Sequence, residues 1–219
     1  MNIVCIDTSS SMSVTAKGCR GIFSAVIKSA KGQYSANLIP LIGEVVKNAG
    51  FSINETEKIV CPQGPGSFTG LRIAYAAAKA LTLTSGAKFY CVPVLDVLAY
   101  EFLEKNEQVI SVIDAKRDRF YVQAFINGSR AGEAADISAE EAVKKADLSK
   151  NIIVCGIGTE KFKLDIAAKC DYKNISFFEV DCGKFSEKIL NYTLLYGNII
   201  EVCDYDGPVY IRKSDAEKS

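Results

Sequence analysis

Between Cys61 and Ile73 the chain reads Cys-Pro-Gln-Gly-Pro-Gly-Ser-Phe-Thr-Gly-Leu-Arg-Ile, with three glycines and two prolines inside residues 62–70. An apolar run, Lys58–Cys61, leads into it, and an alanine-rich segment, residues 70–85, leads out. A strand, a stiff loop and a helix N-terminus in that order commit this part of the chain to an α/β arrangement. Gly64, Gly66 and Gly70 allow close backbone approach, and Pro62 and Pro65 fix φ and stiffen the turn. Backbone N–H groups at such a place meet an anion, or the loop simply seats the helix on its sheet. The residues leave both open. Candidate contacts for an anion or nucleotide are Gly64, Pro65, Gly66, Ser67, Thr69, Gly70 and Arg72. No Gly-Lys-Ser/Thr follows, so this is not a Walker A loop, and the glycine spacing is not the dinucleotide fingerprint.

Around the loop the pattern alternates. Residues 2–7, 12–18 and 21–28 read as three strands, punctuated by Gly18 and Gly32. A helix over 35–48 follows, with Ser35 or Asn37 as N-cap, Gly50 as its stop, and an apolar face of Leu38, Leu41 or Ile42, Val45, Val46 and Ala49. After the strand 58–61 and the helix 70–85 come a strand over 88–92 and a helix over 94–105. Strands 108–115 and 119–127, helix 138–147, strand 151–156, helix 160–169, strand 175–180 and helix 184–197 complete the reading. The polar stretch Glu104–Glu107 suggests a boundary, giving lobes 1–104 and 105–219, with a tail from about 198 returning to the first lobe. No internal sequence repeat is visible, and the polar end 214–219 reads as frayed.

Helix 70–85 is apolar most of the way round. Leu71, Ala74, Ala78 and Leu81 share one face, and Ile73, Ala77, Ala80 and Thr84 share another. Such a helix is buried on more than one side: one against its own sheet, the second against helix 35–48 or another chain. On the second alternative the partner face comprises Leu38, Leu41, Ile42 and Val45 with Ile73, Ala74, Ala77, Ala78 and Leu81, and Ala77→Glu or Ala78→Glu should abolish association in a folded monomer. Asp114, Lys116, Arg117, Asp118 and Arg119 form a dense charge cluster, read either as a solvated hairpin turn or as an edge contact with a partner or a nucleic acid.

Composition removes several classes. Among 219 residues, 26 Lys/Arg balance 26 Asp/Glu and there is no histidine. Zero net charge argues against a stand-alone nucleic-acid-binding module. Without histidine there is no Ser–His or Cys–His dyad, no imidazole metal ligand and no zinc-peptidase site, so no catalytic and no metal residue is assigned. Residues 1–100 carry nine Lys/Arg and five Asp/Glu, leaving +4 there and −4 in the remainder. Eight cysteines include no C-x-x-C pair, and Cys5, Cys61, Cys91 and Cys155 lie in apolar runs, which fits core thiols of a cytoplasmic protein. No secretory signal is visible, and no apolar run reaches the ~18 residues of a membrane span.

Gly64–Arg72 resembles the signature loop of the bacterial TsaB (YeaZ) family, the non-catalytic partner subunit of the machinery that makes threonylcarbamoyl-adenosine in tRNA. Ile6–Asp7–Thr8–Ser9 resembles its opening strand and turn, and Ser35 with Leu38, Pro40 and Leu41 its first-helix entry. Asp114–Ala115–Lys116–Arg117 with Tyr121 resembles its central segment, and Pro208–Val209–Tyr210–Ile211–Arg212 its C-terminal one. The resemblance runs from residue 3 to residue 212. It implies an α/β fold of two ribonuclease-H-like lobes of the actin, sugar-kinase and Hsp70 kind, with mixed sheets covered by helices. It implies docking through helices 35–48 and 70–85 onto a TsaD-type catalytic subunit, recruitment of a TsaE-type ATPase, tRNA met through the complex, and a homodimer when alone. ATP or ADP and Mg belong to the complex, none being assigned to this chain.

Two departures from the family pattern stand out. Tyr34 replaces a histidine expected ahead of Ser35. Thr8 replaces the glycine that lets the superfamily's Asp turn approach phosphate, so Asp7 and Thr8 form either a structural Asx turn or a vestigial ligand contact. The rival reading is an autonomous small-molecule kinase or ATPase of the same superfamily. It would use Asp7 and Asp114 as carboxylates and Gly156–Ile157–Gly158 as a second phosphate loop, itself read alternatively as a tight strand-to-helix turn.

Overall fold

The computed structural model describes residues 1–27, 34–167, 173–197 and 199–212. Lys28, Gly32, residues 168–169 of the expected helix 160–169, and the tail 214–219 lie outside these. The chain divides into two compact units, residues 1–94 with 182–209 and residues 95–181 with 210–219. The boundary read from sequence at 104/105 lies one helix further along. The last helix and residues 199–209 group with the first unit.

In the first unit β1 (Ile3–Asp7), β2 (Met12–Gly18) and β3 (Gly21–Ile27) form an antiparallel meander. Then come α1 (Tyr34–Ala49), a single 3-10 turn at Ile53–Glu55, β4 (Lys58–Gly64), α2 (Phe68–Ser85) and β5 (Lys88–Pro93). β4 is parallel to β1, and β5 is parallel to β4. The two-residue strand Ile200–Glu201 pairs antiparallel with β5, which sequence reading did not anticipate. β1 is buried along its whole length, as its continuous apolar run requires, whereas the sheet-edge strand β3 is half-exposed.

Alternation across this sheet sorts its residues. Val4, Ile6, Met12, Val14 and Ala16 join Leu38, Ile42, Val45, Ala74 and Ala78 in one core cluster under α1 and α2. Ser13 and Thr15 point the other way. They meet the last helix (Phe185–Tyr196): the Ser186 amide donates to the Ser13 hydroxyl at 3.1 Å, and the Thr15 and Ser186 hydroxyls are 2.8 Å apart.

The second unit begins at Leu95, inside α3 (Val94–Leu103), followed by β6 (Gln108–Asp114), β7 (Phe120–Ile126), β8 (Ser129–Arg130), β9 (Ala135–Ile137), α4 (Ala139–Lys144), β10 (Ile152–Ile157), α5 (Thr159–Ala167) and β11 (Ile175–Glu179). The closing elements of the first unit complete the numbering as α6 (Phe185–Tyr196) and β12 (Ile200–Glu201). The strands order β11-β10-β6-β7-β8, and β9 also pairs with β7. β8 and β9 were absent from the sequence reading. Phe120 and Phe162 meet edge to face at 5.0 Å in the core between this sheet and α5.

The two sheets share one plan. Each central strand, β1 or β6, has antiparallel strands on one side and two parallel, helix-connected strands on the other. That is the ribonuclease-H-like plan, present twice. The repeat lies in topology and leaves no trace of identity between the two halves. Seven described cysteines are free, with Cys5, Cys61, Cys91 and Cys155 buried.

Candidate functional site

The glycine loop is packed against its own unit. A Cβ on Gly70 would lie 1.9 Å from the Thr8 carbonyl oxygen. The Thr8 hydroxyl donates to the Gly70 carbonyl at 2.6 Å. Gly64 has φ +116, and a Cβ there would lie 2.5 Å from the Val209 carbonyl oxygen. The Val209 amide donates to the Gln63 carbonyl at 2.9 Å, so the C-terminal segment lies along the loop. At the start of α2 the Ser67 hydroxyl accepts from the Gly70 amide as N-cap, the Ser67 amide donates to Ser9, and the Leu71 amide donates to Ser67. Pro65 is buried; Ser67, Thr69 and Arg72 are exposed, and the Arg72 guanidinium lies 3.8 Å over the Phe68 ring. The loop's glycines are needed where neighbouring backbone presses on them.

Asp7 is fully buried and its carboxylate is satisfied locally. Oδ1 accepts from the Ser9 amide (2.8 Å) and hydroxyl (2.6 Å), and Oδ2 accepts from the Ser10 hydroxyl (2.8 Å). Among the described residues no Lys or Arg pairs with it. Burial pushes its pKa up, and the hydrogen bonds only partly oppose this. The geometry is that of an Asx turn.

Helices α1 and α2 lie side by side on the sheet. Leu38, Leu41, Ile42, Val45, Ala74, Ala78 and Leu81 are at most 7% exposed and belong to the unit's own core. They are therefore not surface residues of the isolated chain. Alanine on almost every side of α2 made its two faces indistinguishable in sequence; packing separates them. Ile73 and Ala77 are half-buried, Ala76 and Ala80 are exposed, and Leu83 is 89% exposed. Ile73, Ala76, Ala80 and Leu83 follow helical spacing and form an outward apolar stripe. On α1, Ala36, Pro40 and Ile39 are exposed. Sequence reasoning missed Ala36, Ile39, Ala76 and Leu83 as surface residues, although the 73-76-80-83 spacing was there to be read.

In the second unit the turn between β6 and β7 holds three consecutive non-glycine residues in the left-handed region, Lys116 (φ 62), Arg117 (φ 57) and Asp118 (φ 56). Asp114 Oδ1 accepts from the Lys116 amide at 2.8 Å, and Lys161 reaches both Asp114 (3.5 Å) and Asp118 (3.3 Å). Arg119 and Arg212 both pair with Asp136, at 2.8 and 2.6 Å. Arg212 also donates to the Ala115 carbonyl at 3.1 Å and lies over the Tyr121 ring. Burial pushes the Asp136 carboxyl up, but the two guanidinium groups outweigh it and hold its pKa below the ordinary value. Asp114 is likewise held down by Lys116 and Lys161 against burial.

The second candidate phosphate loop is occupied by the chain itself. The Glu179 carboxylate, at the end of β11, accepts from the Gly158 amide at 2.9 Å, the Thr159 amide at 2.7 Å and the Thr159 hydroxyl at 2.6 Å. It sits at the N-terminus of α5, where a phosphate would sit. Nothing in the sequence linked Glu179 to Gly158. Asp7 is thus self-satisfied, backbone presses on Gly64 and Gly70 of the first loop, and the second loop holds Glu179. Among the described residues no group of three or more Cys, Asp or Glu side chains is placed to hold a metal.

Two ribonuclease-H-like units, one with its candidate phosphate loop occupied by Glu179 and the other with an outward apolar stripe on α2, are the class of fold and surface this chain presents. A family model described as TsaD, tRNA N6-adenosine threonylcarbamoyltransferase, matches residues 19–188. The curated "tRNA threonylcarbamoyladenosine biosynthesis protein TsaB" of Buchnera aphidicola subsp. Schizaphis graminum is 25% identical over 185 residues, 80% of this chain and 87% of that one. The protein of that name from Escherichia coli K12 is 28% identical over 153 residues, 68% of this chain and 64% of that one. The solved structure of YeaZ from Pseudomonas aeruginosa has the same fold, with TM-score 0.72 and 21% identity over 95% of this chain and 99% of that one. The chain belongs to this threonylcarbamoyltransferase-related family, and within it to the TsaB/YeaZ group. No helix among the described residues is long and apolar enough to cross a membrane.

Proposed function

We propose that the chain is a non-catalytic accessory subunit in threonylcarbamoyladenosine biosynthesis, one that binds a TsaD-type catalytic subunit and holds it competent for threonylcarbamoyl transfer to N6 of adenosine in tRNA. The observation that carries this is the outward stripe Ile73, Ala76, Ala80 and Leu83 on α2, together with the exposed Ala36, Ile39 and Pro40 on the neighbouring helix α1. Small apolar residues on adjacent helices let another helix pair approach closely. The match of this chain to a model of the transferase itself supports a partner of related fold, whose own helices would meet this surface. Names of the relatives supply the pathway. A second copy of the chain covers the same stripe when the partner is missing. A TsaE-type ATPase joins the pair, ATP or ADP and Mg act at the level of the complex, and tRNA is met there. The setting is the cytoplasm. The filled loop at Glu179 and the self-satisfied Asp7 weigh against an autonomous kinase.

The test is light scattering after size exclusion, on this chain mixed with the TsaD-type subunit of the same genome. A 1:1 complex is expected in place of a homodimer. Leu83→Glu should abolish it while the chain stays folded, because Leu83 is 89% exposed. Ala78→Glu does not serve: Ala78 is fully buried, and a carboxylate there would unfold the unit. Two unchanged peaks in the wild-type mixture would refute the reading.

A further inference from the structure

The turn Lys116–Arg119 has no fold-level reason to be built as it is. Glycine or asparagine would close a β6–β7 hairpin at positive φ with less steric opposition than Lys116, Arg117 and Asp118. Instead the turn is held by surrounding ion pairs. Asp114 takes the Lys116 amide and the Lys116 ammonium (2.8 Å), Lys161 bridges Asp114 and Asp118, and the Arg119–Asp136–Arg212 cluster fixes its exit. Backbone held in a sparsely populated region by such over-determination is a pointer to function.

What the turn presents is charge. Lys116, Arg117, Asp118 and Arg119 are all exposed, with the Lys116 side chain at 81%. The cations Lys116, Arg117, Arg119, Lys161 and Arg212 outnumber the carboxylates of Asp114, Asp118 and Asp136. Glu141, held ionised by the Ser138 capping box and within the field of Arg119, is a fourth carboxylate, which leaves the cations ahead by one. No apolar or aromatic residue lies within Lys116–Arg119, so a protein interface here would have only its arginines as anchors. Phosphate contacts need only positioned cations.

We propose that this turn is a phosphate-backbone contact for RNA, with Arg117 and Lys116 as its contacting side chains. The proposal rests on the accessory-subunit reading, and its RNA is the tRNA substrate of the assembled complex. It differs from a stand-alone RNA-binding module in being one basic point on a chain of zero net charge.

The experiment is fluorescence anisotropy of an unmodified tRNA transcript with the complex of this chain and its transferase subunit, across a salt series. Complex formation is checked first by light scattering. The double variant Lys116→Gly/Arg117→Gly removes both charges while glycine accepts the positive φ, so Tm should hold or rise. The expected result is an affinity loss of about 3- to 30-fold and a fall of about 1–2 in the slope of log affinity against log salt. Asp118→Gly, which removes the turn's exposed carboxylate, should tighten binding. Unchanged affinity and slope in the double variant would overturn the proposal and leave the accessory reading intact. Loss of subunit association in that variant, with tRNA affinity retained, would assign the turn to protein docking and also overturn it. A wild-type chain that forms no complex would bring down both readings.

Discussion

Asp7 shows how one residue's environment decides between chemistry and structure. A carboxylate at the end of the first strand, in a fold shared with phosphate-binding proteins, invites a catalytic reading. Its oxygens are instead taken up by Ser9 and Ser10, and burial raises its pKa. A raised folded-state pKa means that the native chain binds the proton more tightly than the unfolded chain. The contribution of Asp7 to stability is then fully present below the ordinary carboxylate range, about pH 4, and is lost as pH rises through the folded value. Asp7→Asn keeps an acceptor for Ser9 and removes the buried charge. Urea titrations should find this variant at least as stable as wild type at pH 7, with the difference closing toward pH 4. A variant markedly less stable at pH 7 would show that the ionised carboxylate is needed. At the same scale, Gly70 was legible as a glycine required by close approach, but the approaching group, the Thr8 carbonyl 62 residues away, was not.

Elements were largely readable, because their signals are local. The core face of α1, its Gly50 stop and the alternating strands follow from spacing and caps. Which of two apolar faces of α2 meets the sheet was not readable: alanine at Ala74, Ala76, Ala77, Ala78 and Ala80 gives both faces nearly the same hydrophobicity, and only tertiary packing breaks the tie. Ala78 was thereby assigned to a partner surface and is core, whereas Leu83 is the exposed member. The short strands β8, β9 and β12 have too few residues for a period-2 pattern to register. The α5 N-terminus offers a quantitative check. Glu179 supplies it with an acceptor for two amides and a hydroxyl, so Glu179→Ala should cost about 1–2 kcal/mol. For a chain of this size that is a Tm drop of several degrees, readable by differential scanning calorimetry; an unchanged Tm would show that water replaces the carboxylate at no cost.

At the level of the whole molecule, the duplicated sheet plan was invisible as a sequence repeat because strand order depends on burial pattern and connection length, not on residue identity. The tail is another long-range feature. Val209 lies on the glycine loop of the first unit, and Arg212 pairs with Asp136 in the second, contacts that spacing cannot foretell. What the sequence did contain was the ordered set of short motifs that pointed to the TsaB/YeaZ group, together with the lack of histidine that left no imidazole chemistry to assign. The central claim is that this chain activates a partner without performing the chemistry. It is tested most directly by measuring threonylcarbamoyl transfer to tRNA by the TsaD-type subunit of the same genome, supplied with threonylcarbamoyl-adenylate, the ATPase subunit and Mg-ATP, with and without this chain. Activity that appears only when the chain is added, persists with Asp7→Asn and is lost with Leu83→Glu is the predicted result. Full transfer in its absence would contradict the account.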